Sequence, residues 1–124
     1  MAKLLLVDDD SSLLTALTQL LKKNNFEIQT LNNPNNIFDT ISSYHPDLII
    51  LDVMMAGEDG RDVCLQLKEN PVTAGIKIIL YSAHHDTEHD FKQYGADDFI
   101  SKPFLSKDLI ELINLHLQGS GAEV

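Results

Sequence analysis

The sequence predicts an α/β domain: a doubly wound parallel sheet of five strands, assembled from five βα units. Three observations predict it. Short apolar runs alternate with longer stretches whose apolar residues recur at helical spacing, from one end of the chain to the other. The runs at 47–52 ("DLIILD") and 76–82 ("IKIILYS") are almost continuously apolar, as expected of parallel strands covered by helices on both faces. Finally, 124 residues, 44% of them hydrophobic, suffice for one core and one domain.

Each element follows from its local pattern. "LLLV" at 4–7 reads as the first strand, and Leu13, Leu14, Leu17, Leu20 and Leu21 give the helix at 11–23 its apolar stripe. "FEIQTL" at 26–31 alternates with period two, so it is expected near an edge of the sheet. Asn33 and Pro34 offer a cap and a first-turn proline for a helix running to about Tyr44. After the central strand at 47–52, the stretch 60–70 is helical, with Val63, Cys64 and Leu67 on one side. The strand at 76–82 leads to a short polar helix at 87–95 that closes on Gly95, and "DFIS" at 98–101 is the last strand. Ser106 can cap a final helix carrying Leu109, Leu112, Ile113 and Leu117. Residues 1–118 form the domain, and 119–124 read as a flexible tail or linker.

Composition excludes several classes. Nine Lys and Arg against 19 Asp and Glu give a net charge of −10, which argues against direct nucleic-acid binding. No apolar run can span a bilayer and no secretory signal opens the chain, so a cytoplasmic protein without membrane insertion is expected. The single cysteine, Cys64, lies in an apolar helical pattern and reads as a core residue.

The chemistry converges on the strand ends. In open α/β sheets, ligands bind beyond the carboxyl ends of the strands. Here the first strand ends in Asp8, Asp9 and Asp10, the third in Asp52, the fourth in Ser82 and the fifth in Ser101 and Lys102. Asp10 precedes a helix and serves as its cap. Like charges a few ångströms apart repel by several kcal/mol at moderate dielectric, so Asp8, Asp9 and Asp52 need a positive partner. If the first and third strands are neighbours, three hard oxygen ligands face one crevice and suit Mg²⁺. A lysine and a hydroxyl beside them describe a site for a phosphoryl group, with Asp52 as the nucleophile that accepts it.

With "LLLVDDD", "PDLIILDVMMAGEDG", "IILYSA" and "GADDFISKPF" in this order, the chain resembles the receiver (CheY-like) domain of two-component response regulators over about residues 3–117. The resemblance implies a flavodoxin-like strand order 2-1-3-4-5. It implies that Asp8, Asp9, Asp52 and the backbone carbonyl of Met54 hold Mg²⁺, with Mn²⁺ as a substitute. Asp52 would take a phosphoryl group from a phosphohistidine of a sensor histidine kinase or histidine phosphotransfer protein. Ser82 and Lys102 would bind that group, the domain catalysing its own phosphorylation and dephosphorylation rather than turning over a substrate. Phe99 matches the aromatic switch position, Gly60 the turn into the third helix, and Lys102–Pro103 a cis peptide. Phosphorylation would then bias a surface around the last two helices and the last strand, altering the binding of a downstream protein target or output domain. A homodimer through the last strand and helix stays open.

Departures from the family pattern carry their own expectations. Ala56 replaces a frequent proline, and Phe99 lacks a tyrosine hydroxyl. Met54 and His84 stand where residues influence the attack of water on the acyl phosphate. His85 and His89 are four apart, a spacing that could share a metal on a helix, although a solvated face explains them more simply. Three rivals remain for comparison. An aspartyl-phosphate phosphohydrolase needs a second acid or base two residues after the nucleophile, where this chain has Met54. A nucleotide-binding unit needs a glycine-rich first turn, where this chain has "DDDSS". A phosphorylation-independent interaction module would have lost the acidic pair, acceptor or lysine, all of which are present.

Overall fold

The computed structural model describes residues 1–55, 57–83 and 90–121, the last three by backbone only. Its elements in chain order are β1 (Lys3–Val7), α1 (Ser11–Lys23), β2 (Glu27–Leu31), α2 (Ile37–Tyr44), β3 (Leu48–Asp52), β4 (Met54–Met55), β5 (Glu58–Asp59), α3 (Gly60–Glu69), β6 (Lys77–Ser82), a 3₁₀ turn (Phe91–Tyr94), β7 (Asp98–Ser101) and α4 (Ser106–Gly121). Five strands pair in parallel in the order β2-β1-β3-β6-β7. This is the expected 2-1-3-4-5 order, with the two-residue strands β4 and β5 forming a separate antiparallel ribbon just after β3.

Side-chain alternation along the strands separates two cores. Leu4 and Leu6, Leu48 and Ile50, and Ile79 and Tyr81 face the layer of α1 and α4, meeting Leu14, Leu17, Leu21, Leu109 and Ile113. Leu5 and Val7, Ile49 and Leu51, and Ile78 and Leu80 face the other layer, meeting Ile37, Ile41, Val63, Cys64 and Leu67. All five residues of β3 are buried, as its continuous apolar run requires, whereas β2 has one neighbour and three exposed positions. Burying each of these large aliphatic side chains contributes about 1.5–3 kcal/mol, which is why strand register is fixed. Cys64 is fully buried, and burial pushes its thiol up to about 12, in keeping with a packing role.

Two boundaries differ from the sequence expectation. The second helix starts at Ile37, three residues beyond Pro34, because Asn33 Oδ1 accepts from Asn35 N–H at 2.9 Å and turns the chain before the helix begins. The last helix extends to Gly121, into the stretch expected as tail. Of the polar helix expected at 87–95, residues 87–89 lie outside the described residues, and the 3₁₀ turn that follows Asp90 ends on Gly95 at φ 83° as anticipated. Ala56, His84, His85 and His89 lie outside the described residues, and with them the expectations placed there. Among the described residues, no helix is long and apolar enough to cross a membrane.

Candidate functional site

The site is assembled by strands that stop together at one end of the sheet. Val7 is the last paired residue of β1, and Asp8 N–H still donates to Leu31 O of β2 at 3.1 Å, so the Asp8 side chain emerges where the ladder ends. Asp52 closes β3 opposite Tyr81, and Val53 N–H donates to Tyr81 O at 3.1 Å. Ser82 pairs with Ser101, and Lys102 N–H donates to Ser82 O at 2.9 Å, which carries Lys102 just past the end of β7. Positions 6 and 8, 50 and 52, and 100 and 102 share side-chain parity. Asp8, Asp52 and Lys102 therefore extend from the face that packs on α1 and α4. Lys102–Pro103 is cis, as expected.

The side chains meet. Lys102 Nζ lies 3.2 Å from Asp8 Oδ2 and 3.3 Å from Asp52 Oδ1, bridging two carboxylates that are each almost fully buried. Asp8 Oδ1 accepts from Asp10 N–H at 2.9 Å, and Asp8 Oδ2 also accepts from the Tyr81 hydroxyl. Asp52 Oδ1 accepts from Met54 N–H at 3.3 Å. Ser82 is buried beside them, while Asp9 and Met54 are exposed. Asp10 caps α1 as expected, its Oδ1 accepting from Leu13 N–H at 3.1 Å.

The charge state follows from this geometry. Burial, and next the neighbouring Asp8 carboxylate, push the Asp52 carboxyl up to about 6 against the pull of Lys102. Burial pushes Asp8 upward too, but hydrogen bonds from Tyr81 and Asp10 N–H and the Lys102 charge outweigh it and hold Asp8 below its ordinary value. Burial, then the contact with Asp8, raise the Tyr81 phenol far above its usual range, so it stays a hydrogen-bond donor. Two buried acids and one partly exposed lysine leave net negative charge, a composition that favours a cation. Oxygen atoms of Asp8, Asp9 and Asp52 lie within 4.8 Å of one another, and this all-carboxylate set fits a hard divalent ion such as Mg²⁺.

The remaining expected residues surround this centre. Phe99 on β7 is partly buried against the α3 side of the sheet and stacks on Phe91 with ring centroids 6.3 Å apart. Gly60 opens α3 directly against the end of β3, its N–H donating to Val53 O at 2.8 Å. Two residues of the site were not anticipated. Tyr81 sits inside an apolar run where an aromatic reads as core, yet its hydroxyl reaches Asp8 and its ring lies 4.3 Å below Lys102 Nζ. Arg61, at the start of α3, pairs with Asp59 at 2.8 Å and Asp90 at 3.2 Å, fastening the loop after Asp52 to the segment before the 3₁₀ turn.

Comparison with known proteins agrees with this fold. Residues 4–114 match the family model of the response regulator receiver domain. The DNA-binding response regulator MtrA of Mycobacterium tuberculosis is 32% identical over 123 residues, covering 98% of this chain and 53% of the relative. The MtrA of Mycolicibacterium smegmatis is 32% identical over 118 residues, covering 94% and 50%. The chain thus spans about half the length of the curated relatives it matches. Among solved structures, the signal receiver domain of a signal transduction histidine kinase from Syntrophus aciditrophicus superposes with a TM-score of 0.87 at 29% identity, covering 96% of this chain and 92% of that one. The signal receiver domain of a response regulator from Bermanella marisrubri superposes with a TM-score of 0.84 at 28% identity, covering 92% and 97%.

Proposed function

This chain belongs to the response regulator receiver domain family of two-component systems, and within it we propose that Asp52 is the phosphoacceptor of a Mg²⁺-dependent switch. The observation that carries the proposal is the bridge from Lys102 Nζ to both Asp8 and Asp52. A cation held between two buried carboxylates at the sheet's ligand-binding end is positioned to turn toward an incoming anion.

In the proposed step, an oxygen of ionised Asp52 attacks the phosphorus of a phosphohistidine on a sensor histidine kinase or phosphotransfer protein. The P–O bond forms as the P–N bond breaks, and the electron pair returns to the imidazole nitrogen, which takes a proton from solvent. Lys102 releases the carboxylates and pairs with a phosphoryl oxygen, and the Ser82 hydroxyl donates to another. Asp8, Asp9, Asp52 and the Met54 carbonyl would hold Mg²⁺, which when bound neutralises charge on the phosphoryl oxygens. Exposed, apolar Met54 offers no polar atom from its side chain to a water attacking the acyl phosphate, which favours a long-lived phosphorylated state.

Withdrawal of Ser82 toward the phosphoryl group frees space for Phe99, whose parity places it on the same face of the sheet as Ser82. That motion biases the surface formed by β7 and α4, through which a downstream protein or output domain would read the signal. Chemical mapping tests the acceptor. After exposure to phosphoramidate and Mg²⁺, borohydride reduction converts an aspartyl phosphate to homoserine. Homoserine at position 52 supports the proposal, and homoserine elsewhere contradicts it.

A further inference from the structure

Tyr81 is the one polar side chain in the run from Ile78 to Tyr81, and it touches two members of the site at once. Its hydroxyl donates to Asp8 Oδ2, and Lys102 Nζ sits over its ring at 4.3 Å. The phenol is fully buried in the apolar cluster on the α1 and α4 side of the sheet, with Phe104 edge-on at 6.2 Å. The hydroxyl therefore has little freedom, and Asp8 inherits its fixed position.

The two contacts on Asp8 Oδ2 differ in what phosphorylation would do to them. Lys102 must leave Asp8 and Asp52 to pair with a phosphoryl group. Tyr81 need not move. A carboxylate oxygen has two lone pairs, so Oδ2 can accept from the phenol and still face a cation. With Oδ1 held by Asp10 N–H, the phenol completes a clamp that fixes both oxygens of Asp8 before any ligand arrives.

We propose that Tyr81 is a positioning residue for the metal site: its hydroxyl orients Asp8 toward Asp9 and Asp52, so that the carboxylate need not be ordered when Mg²⁺ binds. The proposal rests on the reading of the acidic trio as a Mg²⁺ site. Tyr81→Phe isolates the hydroxyl, since it keeps the ring beneath Lys102 and against Phe104.

Calorimetric titration with Mg²⁺ tests it on wild-type and Tyr81→Phe protein, beside thermal melting in EDTA. The expected result is a Kd about tenfold weaker in the variant, in line with the loss of a partner that orients a metal ligand. A lower melting temperature with an unchanged Mg²⁺ Kd identifies a structural role and overturns the proposal. Absence of Mg²⁺ binding by the wild-type protein overturns both the proposal and the metal reading beneath it.

Should the variant not fold, uniform replacement of the three tyrosines by 3-fluorotyrosine gives a second readout, with resonances assigned through Tyr44→Phe and Tyr94→Phe. A saturable ¹⁹F shift confined to Tyr81 on addition of Mg²⁺ supports the role, and a silent Tyr81 resonance overturns it.

Discussion

Gly60 stands so close to the end of β3 that a methyl group on its Cα would lie 1.9 Å from the carbonyl oxygen of Asp52. Its N–H donates to Val53 O at 2.8 Å, so α3 begins pressed onto the strand that delivers the acceptor. The opposing atoms are backbone and cannot rotate away. Gly60→Ala is expected to cost about 3 kcal/mol and to displace Asp52, the upper part of the usual range for overpacking. Urea unfolding checks it, and an unchanged midpoint would refute the close approach.

Asp52 is expected to destabilise the metal-free fold at neutral pH. Its carboxyl titrates near 6 in the folded protein against 3.8 for the unperturbed group, so the native state holds the proton more tightly than the unfolded chain. Stability is therefore gained on protonation and lost as pH rises from about 4 through 6. In EDTA at pH 8, Asp52→Asn should be more stable than wild type by on the order of 2 kcal/mol. The gap should close as pH falls toward 4. A pH-independent difference in melting temperature would contradict this origin.

Met54→Asn places an amide two residues after Asp52, on a side chain that is 55% exposed in the wild type. A polar group there can orient the attacking water, and the acyl phosphate is expected to decay roughly three- to tenfold faster. Loss of the phosphoryl adduct with time by intact-protein mass spectrometry gives the rate. Equal decay rates would show that position 54 does not limit hydrolysis.

Asp97 fastens the 3₁₀ turn to the sheet, its Oδ2 accepting from Ile78 N–H and Lys68 Nζ, both at 2.9 Å. Asp97→Ala leaves a strand N–H and a half-buried lysine without this acceptor, and a loss of about 2 kcal/mol is expected. Lys77 Nζ is 4.0 Å from Asp97 Oδ1, so Lys77→Ala should cost under about 0.5 kcal/mol. Comparable losses in denaturant titrations of the two variants would contradict this ranking.

The strand ends were legible because apolar runs stop abruptly at Asp8, Asp52, Ser82 and Lys102, where chain chemistry changes within one residue. Parity then carries Asp8, Asp52 and Lys102 to one face. Tyr81 was not legible: an aromatic in a buried strand reads as core, and its hydroxyl finds Asp8 only across 73 positions of sequence. The ribbon of β4 and β5 is too short to show a period, and it emerges from the turn at Gly57, whose φ of 76° favours glycine. The start of α2 was misplaced because 32–36 holds four asparagines, each able to begin a turn or a cap.

The most direct test is intact-protein mass after incubation with acetyl phosphate, with and without Mg²⁺, on wild type and Asp52→Asn. The account predicts one phosphoryl adduct on the wild type that requires Mg²⁺ and is absent from the variant. A wild-type protein that is folded and binds Mg²⁺ yet gains no adduct would contradict it, and would mark the domain as one that acts through constitutive contact.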